Sequence, residues 1–456
     1  MTIDTIIKQA TEALGITALN AMQTQVVKHW TSNSDDIIIY SPTGTGKTLA
    51  TAIPALLSVD DHDSSTQVVV IAPARELAVQ THRVIKKISP LTATTCCHGG
   101  HSSTIERASL SAHPTIVVAT PGRLLDHIVN NHLDISTIKC LVLDEFDKTL
   151  ELGFTDEMRA IMSHCPSNAR IIMSSATAIE HLPSYVKLHN YHTINLLRDQ
   201  SLIVDNRLTM WYVKAQGNDR LDTVLKLLHA IDDELTIVFT NTRETAEHVF
   251  KFLWSRKMST ALYHGALQQI EREKAVAMFN NGTSMVLVAT DLAARGLDIS
   301  NVKHIIHYEL PPTKEILIHR NGRTARVDSN GEAFLITTAS ESLPFFATQC
   351  KEFIIDNNSK RHNKVSTIAT IHISAGKKEK VSPGDIVGFL SSHTNSLNAN
   401  EIGKIFVHDH YSLVAVPAAK AQEIINSVSP FKLKKLKVKL SVAKPLLRFA
   451  KPTAGR

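Results

Sequence analysis

Short β-branched runs and amphipathic stretches alternate along residues 1–340. The runs at 36–40, 67–72, 115–120, 140–145 and 170–176 are continuously apolar, and most are followed by a helical pattern. Strands of that kind are buried on both faces, as in a parallel sheet covered by helices. Their alternation with helices predicts a doubly wound α/β domain. The rhythm pauses near 198–207 and resumes with runs at 208–215, 235–240, 259–264, 284–290, 302–309 and 332–338, which predicts a second α/β domain. The polar stretch 357–364 reads as a further linker. Beyond it the order changes to a strand at 367–374, a helix opening at 383–390, strands at 404–408 and 411–416, a helix at 418–428 and a strand at 435–442. That β-α-β-β-α-β order is the ferredoxin-like split unit. The expected organisation is therefore α/β, with domains at 1–200 and 206–357, a small α+β domain at 366–443 and a basic tail at 444–456. No short-period sequence repeat is visible.

Composition adds one asymmetry. The 456 residues are 43% hydrophobic and 20% charged, a globular balance that excludes a mostly disordered chain. The formal net charge of +6 hides a split. Residues 360–456 carry 17 Lys and Arg against five Asp and Glu, a net of +12, and the rest carries 32 against 38, a net of −6. An acidic body with a basic C-terminal piece points to a polyanionic partner. Five cysteines with no C-x-x-C pair argue against a disulfide framework or a zinc site and suit a reducing cytoplasm. No apolar run approaches ~18 residues, and the first residues lack a signal-peptide pattern. A cytoplasmic location without a membrane partner is the expectation.

Candidate chemistry begins at Ser41-Pro-Thr-Gly-Thr-Gly-Lys-Thr48, between a strand and a helix, the context a P-loop needs. Backbone N–H groups of Ser41, Thr43, Gly44, Thr45 and Gly46 and the helix N-terminus would cradle phosphate. Lys47 would reach the outer phosphates, and Thr48 would place its hydroxyl on Mg²⁺. The strict pattern has glycine where this chain has Ser41. Further along, at the end of an apolar strand, stands Leu143-Asp144-Glu145-Phe146-Asp147. Acids at the C-terminal edge of a parallel sheet lie where ligands bind. Asp144 would hold Mg²⁺ and Glu145 would orient or deprotonate the attacking water. Later, Ile318-His319-Arg320-Asn321-Gly322-Arg323-Thr324-Ala325-Arg326 gathers the cations that developing phosphoryl charge requires.

In this order these motifs resemble the DEAD-box family of superfamily 2 RNA helicases, over residues 1–357. The resemblance implies two RecA-like domains, ATP with Mg²⁺ as nucleotide and metal, and RNA as partner. It assigns Gln23 to adenine recognition, Ser175-Ala-Thr177 to coupling of hydrolysis with RNA binding, Asp298 to the ribose region, and His319, Arg323 and Arg326 to catalysis, the two arginines as fingers. It assigns RNA contacts to Arg75, Gly99, Gly100, Thr120, Arg123, Thr240, Arg243, Gln269, Arg272 and Thr290. Hydroxyls, glycine N–H groups and arginines suit phosphate and 2′-OH contact rather than base reading. The chain departs from the family in four ways. Phe146 replaces an alanine, and Ile6 stands where a base-stacking aromatic is usual. The Pro-Thr before Gln23 is absent, and Ala74 and Ala325 replace a common Thr and Gly.

The C-terminal segment resembles the RRM-like RNA-binding domain of the DEAD-box protein A subfamily, whose module recognises a hairpin of large-subunit ribosomal RNA. That implies ribosomal RNA and pre-ribosomal particles as partners, and a monomer is expected. Lys377 and Lys378 form a basic turn. Lys435, Lys437 and Lys439 alternate with Leu436, Val438 and Leu440, a period that predicts three ammonium groups on one strand face. The usual RNP1 pattern is missing. On a short linker the module would hold the helicase near its RNA at roughly millimolar effective concentration. A DNA helicase of the RecQ kind would instead carry a DEAH box and a cysteine cluster. A non-catalytic RNA chaperone would not need Lys47, Asp144 and Glu145.

Overall fold

The structure, a computed structural model, describes residues 2–42, 44–100, 102–179, 181–197, 207–215, 217, 219–291, 299, 302–324, 330–356, 362, 364–394 and 397–445. Thr43, Asp298, Ala325 and Arg326, most of the two linker stretches and the tail beyond Pro445 lie outside the described residues. Two compact units result, one up to residue 197 and one from 207 onward.

The first unit is built on β1 (Asp36–Tyr40), β2 (Val68–Ile71), β3 (Thr94–Cys97), β4 (Ile116–Ala119), β5 (Cys140–Leu143), β6 (Arg170–Ser175) and β7 (Tyr191–Asn195). They form one sheet in the order β3-β4-β2-β5-β6-β1-β7, with every pair parallel. Alternate residues of a strand enter opposite cores. Val68 and Val70 pack with Ile116, Val118, Val26 and Ile53, while Val69 and Ile71 pack with Val117, Leu124, Phe146 and Met158. This two-sided burial is why the strands read as unbroken apolar runs.

The second unit repeats the plan with β8 (Leu208–Lys214), β9 (Thr236–Thr240), β10 (Thr260–Tyr263), β11 (Val286–Thr290), β12 (His304–His307), β13 (Gly331–Thr337) and β14 (Lys351–Glu352). Its order is β10-β11-β9-β12-β13-β8-β14, again all parallel. Numbered from its own first strand, each sheet runs 3-4-2-5-6-1-7. The same unit carries a small antiparallel sheet of β15 (Ile368–Ile373), β16 (Ile405–Val407), β17 (Ser412–Pro417) and β18 (Leu440–Val442), ordered β16-β17-β15-β18. Its inner face, Ile371, Ile373, Val414 and Val416, packs on helices Pro383–Ser392 and Ala421–Val428. The fold class is the expected one, two parallel α/β sheets and a small α+β module. No helix among the described residues is long and apolar enough to cross a membrane.

One expectation fails. The strand expected at 435–442 is present only at its end. Leu433 and Leu436 exchange backbone hydrogen bonds of 3.0 and 2.9 Å around Lys434 (φ 47°) and Lys435 (φ 70°). Two left-handed residues in sequence make a tight turn of the primed kind, which destroys the period of two. Leu436 is exposed, and Lys435, Lys437 and Lys439 form a lysine-rich loop rather than one face of a strand.

Candidate functional site

In the first unit, β1 runs through a tight turn into helix Lys47–Leu57. Gly44 and Gly46 adopt φ of 82° and 88°, the region that favours glycine. A Cβ on Gly46 would also lie 2.4 Å from Gln23 Nε2. The Ser41 and Thr45 hydroxyls are hydrogen-bonded at 2.7 Å, and Thr45 Oγ1 donates to the Pro42 carbonyl at 2.9 Å. Ser41 thus braces the loop from the position where the strict pattern has glycine. Lys47 Nζ is buried and donates to the carbonyls of Ser41 and Pro42. Thr48 follows in the first helical turn.

Gln23 reaches this loop from helix Ala21–Ser32. Its backbone N–H donates to Asn20 Oδ1 and its Oε1 accepts from the Asn20 N–H, both at 2.9 Å, a reciprocal capping box. Its Nε2 donates to the Gly46 carbonyl at 3.2 Å, and Asn20 Nδ2 donates to the Thr45 carbonyl at 2.9 Å. Asn20 takes over the capping that the absent Pro-Thr does not supply. Ile6, by contrast, is fully buried in the core beside Ala10, Met22 and Val26. It occupies the interior rather than a stacking position.

Asp144 and Glu145 follow β5. Asp144 is 2% exposed. Its Oδ1 accepts from Ser174 Oγ at 2.6 Å and its Oδ2 from Thr81 Oγ1 at 3.3 Å. Burial pushes this carboxyl above the usual carboxylate range, opposed by the Ser174 hydroxyl and the Lys47 ammonium. Glu145 turns the chain with φ 47° and ψ 52°, and its N–H donates to the same Ser174 Oγ at 3.1 Å. Asp147 Oδ2 accepts from the Ala176 N–H at 3.2 Å and from Thr177 Oγ1 at 3.0 Å. The Ser41 N–H donates to the Ser175 carbonyl at 3.0 Å. The turn after β6 therefore touches both the phosphate loop and the acidic segment. Phe146 packs with zero exposure in the core on the far side of the sheet. A hard oxygen donor set, Thr48 hydroxyl and a buried Asp144 carboxylate, fits Mg²⁺.

The candidate RNA residues of this unit are also drawn together. Arg75 begins helix Arg75–Ile88, whose N-cap Ala74 makes no side-chain cap, the consequence of the missing hydroxyl. A Cβ on Gly100 (φ 85°) would lie 2.7 Å from Arg75 Nη1, so glycine lets the guanidinium approach. Thr120 stands at the N-cap position of helix Pro121–Val129, without a side-chain cap bond, and donates its N–H to the Cys97 carbonyl at 3.1 Å. Arg123 Nε pairs with Glu106 Oε2 at 2.7 Å. Glu106 is fully buried and also accepts from the His98 N–H at 2.9 Å and from His127 Nε2 at 2.8 Å. Cys97, Glu106 and His127 bring donor atoms within 4.8 Å of one another. The Arg123 guanidinium already supplies the cation there.

In the second unit Thr240 and Thr290 are register partners at the ends of β9 and β11. Arg243 opens helix Arg243–Ser255 on an exposed corner. Gln269 and Arg272 lie on helix Gln269–Asn280, with Gln269 Nε2 donating to Glu273 Oε1 at 2.7 Å. His319, Arg320 and Arg323 are buried at 6%, 1% and 7% exposure. Arg320 is a structural rivet. It binds Asp291 through Nε and Nη2 at 2.6 and 2.7 Å, Asn241 Oδ1 at 2.6 Å and the Glu309 carbonyl at 3.1 Å. Lys377 and Lys378 donate backbone N–H groups to the His408 and Asp409 carbonyls, both at 2.8 Å.

Sequence reading missed Ser174, Thr81, Asn20 and Glu106. Ser174 directly precedes Ser175-Ala-Thr177, and only its strand position, facing β5, could have marked it. Glu106 lies in a helix with no motif around it.

Two parallel sheets of one strand order, each with its chemistry at strand C-terminal ends and one bearing a phosphate loop beside paired acids, define a RecA-like ATP-driven motor. Family models match in the same sense: the DEAD/DEAH box helicase model at residues 20–183, the helicase conserved C-terminal domain at 219–328 and the DbpA RNA binding domain at 370–442. The DEAD-box ATP-dependent RNA helicase RhpA of Helicobacter pylori is 34% identical over 340 residues, 74% of this chain and 68% of that protein. The helicase CshA of Bacillus cereus is 34% identical over 336 residues, 73% of this chain and 64% of its own. S. cerevisiae Dbp5 bound to RNA and ADP BeF3 superposes with a TM-score of 0.66 at 26% identity, covering 74% of this chain and 88% of that one. The chain belongs to the DEAD-box ATP-dependent RNA helicases and carries a C-terminal DbpA RNA-binding domain. It is an ATPase that binds ATP and RNA.

Proposed function

We propose that this helicase remodels RNA during assembly of the large ribosomal subunit, as a monomer, with its C-terminal module choosing the site. Residues 1–200 and 206–357 form the motor and 366–443 the address. Lys47 and the loop N–H groups of Thr43 to Gly46 hold the phosphates, with Gln23 on the adenine and Asp298 near the ribose; Ser41, whose own N–H goes to the Ser175 carbonyl, braces the loop instead. Asp144 and Thr48 hold Mg²⁺, which when bound neutralises charge on the phosphate oxygens. Glu145 accepts the proton of the attacking water. Arg323 and Arg326 stabilise charge on the transferred phosphoryl group, a role worth about 10³–10⁵ in rate. The observation that carries the nucleotide-site reading is the bridge from Ser174 Oγ to both Asp144 Oδ1 and the Glu145 N–H, which orients the Asp144 carboxylate against the backbone at the end of β5.

The address reading is supported by the match of residues 370–442 to the DbpA RNA-binding model and by the exposed loop of Lys435, Lys437 and Lys439. A full-length variant with these three lysines changed to Glu tests it. Preference for large-subunit ribosomal RNA fragments over unrelated RNA should vanish, and the salt slope of fragment binding should fall by about three. ATP turnover at saturating polyuridylate should persist. An unchanged fragment preference refutes the address role.

A further inference from the structure

The inner face of the small sheet is closed by its own helices, and its outer face meets helix Gln269–Asn280. Leu413, Tyr411 and Ala443 pack on Ala277 and Met278. Tyr411 Oη donates to Glu273 Oε2 at 2.6 Å, and Thr370 Oγ1 is hydrogen-bonded to Thr283 Oγ1 at 2.7 Å and Asn281 Nδ2 at 3.1 Å. This contact covers only part of the face. Beside it a cleft of about 330 Å³ opens between the helix and the sheet.

The lining of that cleft is chemically mixed in a particular way. His372 of β15 stacks on Tyr411, with centroids 5.4 Å apart and planes at 17°. Tyr411 stacks in turn on His408 at 4.5 Å and 15°. Three parallel rings make a platform, and Glu273 anchors its middle ring to the helix. Burial, with the Lys274 ammonium nearby, lowers the His372 pKa, which favours a neutral ring. Around the platform stand Lys274, Lys444, the Ser441 hydroxyl and the Glu271 carboxylate. Lys274 and Glu271 are paired at 3.6 Å, so they largely cancel, and exposed Lys444 leaves the rim positive. A flat aromatic surface, ammonium groups and acceptors for hydroxyls are what an unstacked ribonucleotide meets in single-strand sites.

From this we infer that the cleft between helix Gln269–Asn280 and the outer sheet face binds one unpaired nucleotide of the RNA strand, its base on the His372 ring and its phosphate at the Lys444 ammonium. Glu271 or Ser441 then accepts from the 2′-OH. The site extends the track of Gln269 and Arg272, which lie on the same helix. It provides the base stacking that the missing RNP1 pattern does not, and it rests on RNA binding by the motor and not on any ribosomal target.

The probe is an oligouridylate RNA containing 5-iodouridine, photocrosslinked to the full-length protein and mapped by peptide mass spectrometry. Crosslinks to His372 or Tyr411 are expected. His372→Ala and Lys444→Glu should each weaken oligouridylate binding about tenfold, Lys444→Arg should bind as the parent, and ATP turnover at saturating RNA should not change. Lys444 is exposed, so its variant is decisive even where loss of His372 disturbs the sheet. Crosslinks confined to other residues, or a Lys444→Glu protein that binds as the parent, would overturn the site. Oligouridylate carries no ribosomal sequence, so failure here is distinguishable from failure of the address role.

Discussion

Replacing Ser174 by Ala removes two bonds at once. The hydroxyl donates to the buried Asp144 carboxylate at 2.6 Å and accepts from the Glu145 N–H at 3.1 Å. Losing a hydrogen bond to a charged group costs about 1.5–3 kcal/mol, and losing the part-buried bond from the Glu145 N–H about 0.5–1.5 kcal/mol. Together they weaken the first unit by about 3 kcal/mol, or about 6–12 °C in Tm for a domain of this size. The sign with pH follows from Asp144. Burial holds its folded pKa above the unfolded value, so the ionised carboxylate burdens the folded state above that folded pKa and the burden lifts as pH falls. The Ser174 bond lightens it, so the deficit of the variant should be largest at neutral pH and shrink toward pH ~4. Turnover should fall about 10–100-fold, the usual effect of losing the partner that orients a metal ligand, with a raised Mg²⁺ requirement. Thr81→Val, which deletes a longer bond of 3.3 Å, should cost under about 1 kcal/mol. Calorimetry at two pH values and ATPase titrations with Mg²⁺ measure all of this. A Ser174→Ala enzyme with parental turnover and parental Mg²⁺ dependence, or one less affected than Thr81→Val, refutes the bridging role.

Two further outcomes follow from single residues. Lys47→Ala should abolish ATP turnover while leaving RNA binding by the C-terminal module within about twofold, read by an ATPase assay and a direct binding titration. Phe146→Ala restores the alanine usual in the family but empties a fully buried site, so it should lower stability by about 3–5 kcal/mol, and an unchanged Tm would contradict the core packing of the ring.

The interior strands were legible in sequence because both faces are buried. All of β1, β2, β4, β5 and β6 lie within the stretches marked by continuous apolar runs. What escaped were edges. The sequence of β3 is Thr-Thr-Cys-Cys, β7 is mostly exposed, and β14 has two residues, Lys351 and Glu352. Each has one neighbour and carries little apolar sequence, so it leaves no run to read; the edge strand β10, Thr-Ala-Leu-Tyr and fully buried, did leave one. The motif residues were legible because phosphate chemistry needs fixed spacing. Their supports were not. Ser174, Thr81 and Glu106 act through contacts that join distant segments, and no local pattern marks them. The strand expected at 435–442 failed for the opposite reason. A period of two was present, but Lys434 and Lys435 take left-handed conformations and turn the chain.

The polar stretch 357–364 suggested a tether, which would supply only effective concentration. The described part of it is stapled down. The His362 N–H donates to the His229 carbonyl at 2.9 Å, and Lys364, fully buried, donates Nζ to the Asp232 and Glu234 carbonyls. With Tyr411 and His408 on Glu273, the module is held by contacts, so the seam rather than linker length governs where it sits. Glu273 is the point to test. Burial would raise its pKa, but hydrogen bonds from His408, Tyr411 and Gln269 more than offset this and hold it at about 2. A depressed carboxylate contributes stability that is present above its unfolded pKa of 4.5 and lost as pH falls through about 2. At about 1.4 kcal/mol per unit the full shift corresponds to about 3.5 kcal/mol, which solvent screening of this partly exposed group reduces to order 2–3 kcal/mol. Glu273→Gln should remove most of it at neutral pH, and hydrogen exchange in the Tyr411 to Pro417 and Gln269 to Asn280 segments should quicken together, about 30–100-fold. If both segments stay as protected as in the parent, the seam does not depend on this carboxylate and the module is placed by its other contacts, the staple at Lys364 and the Thr370 hydrogen bonds among them.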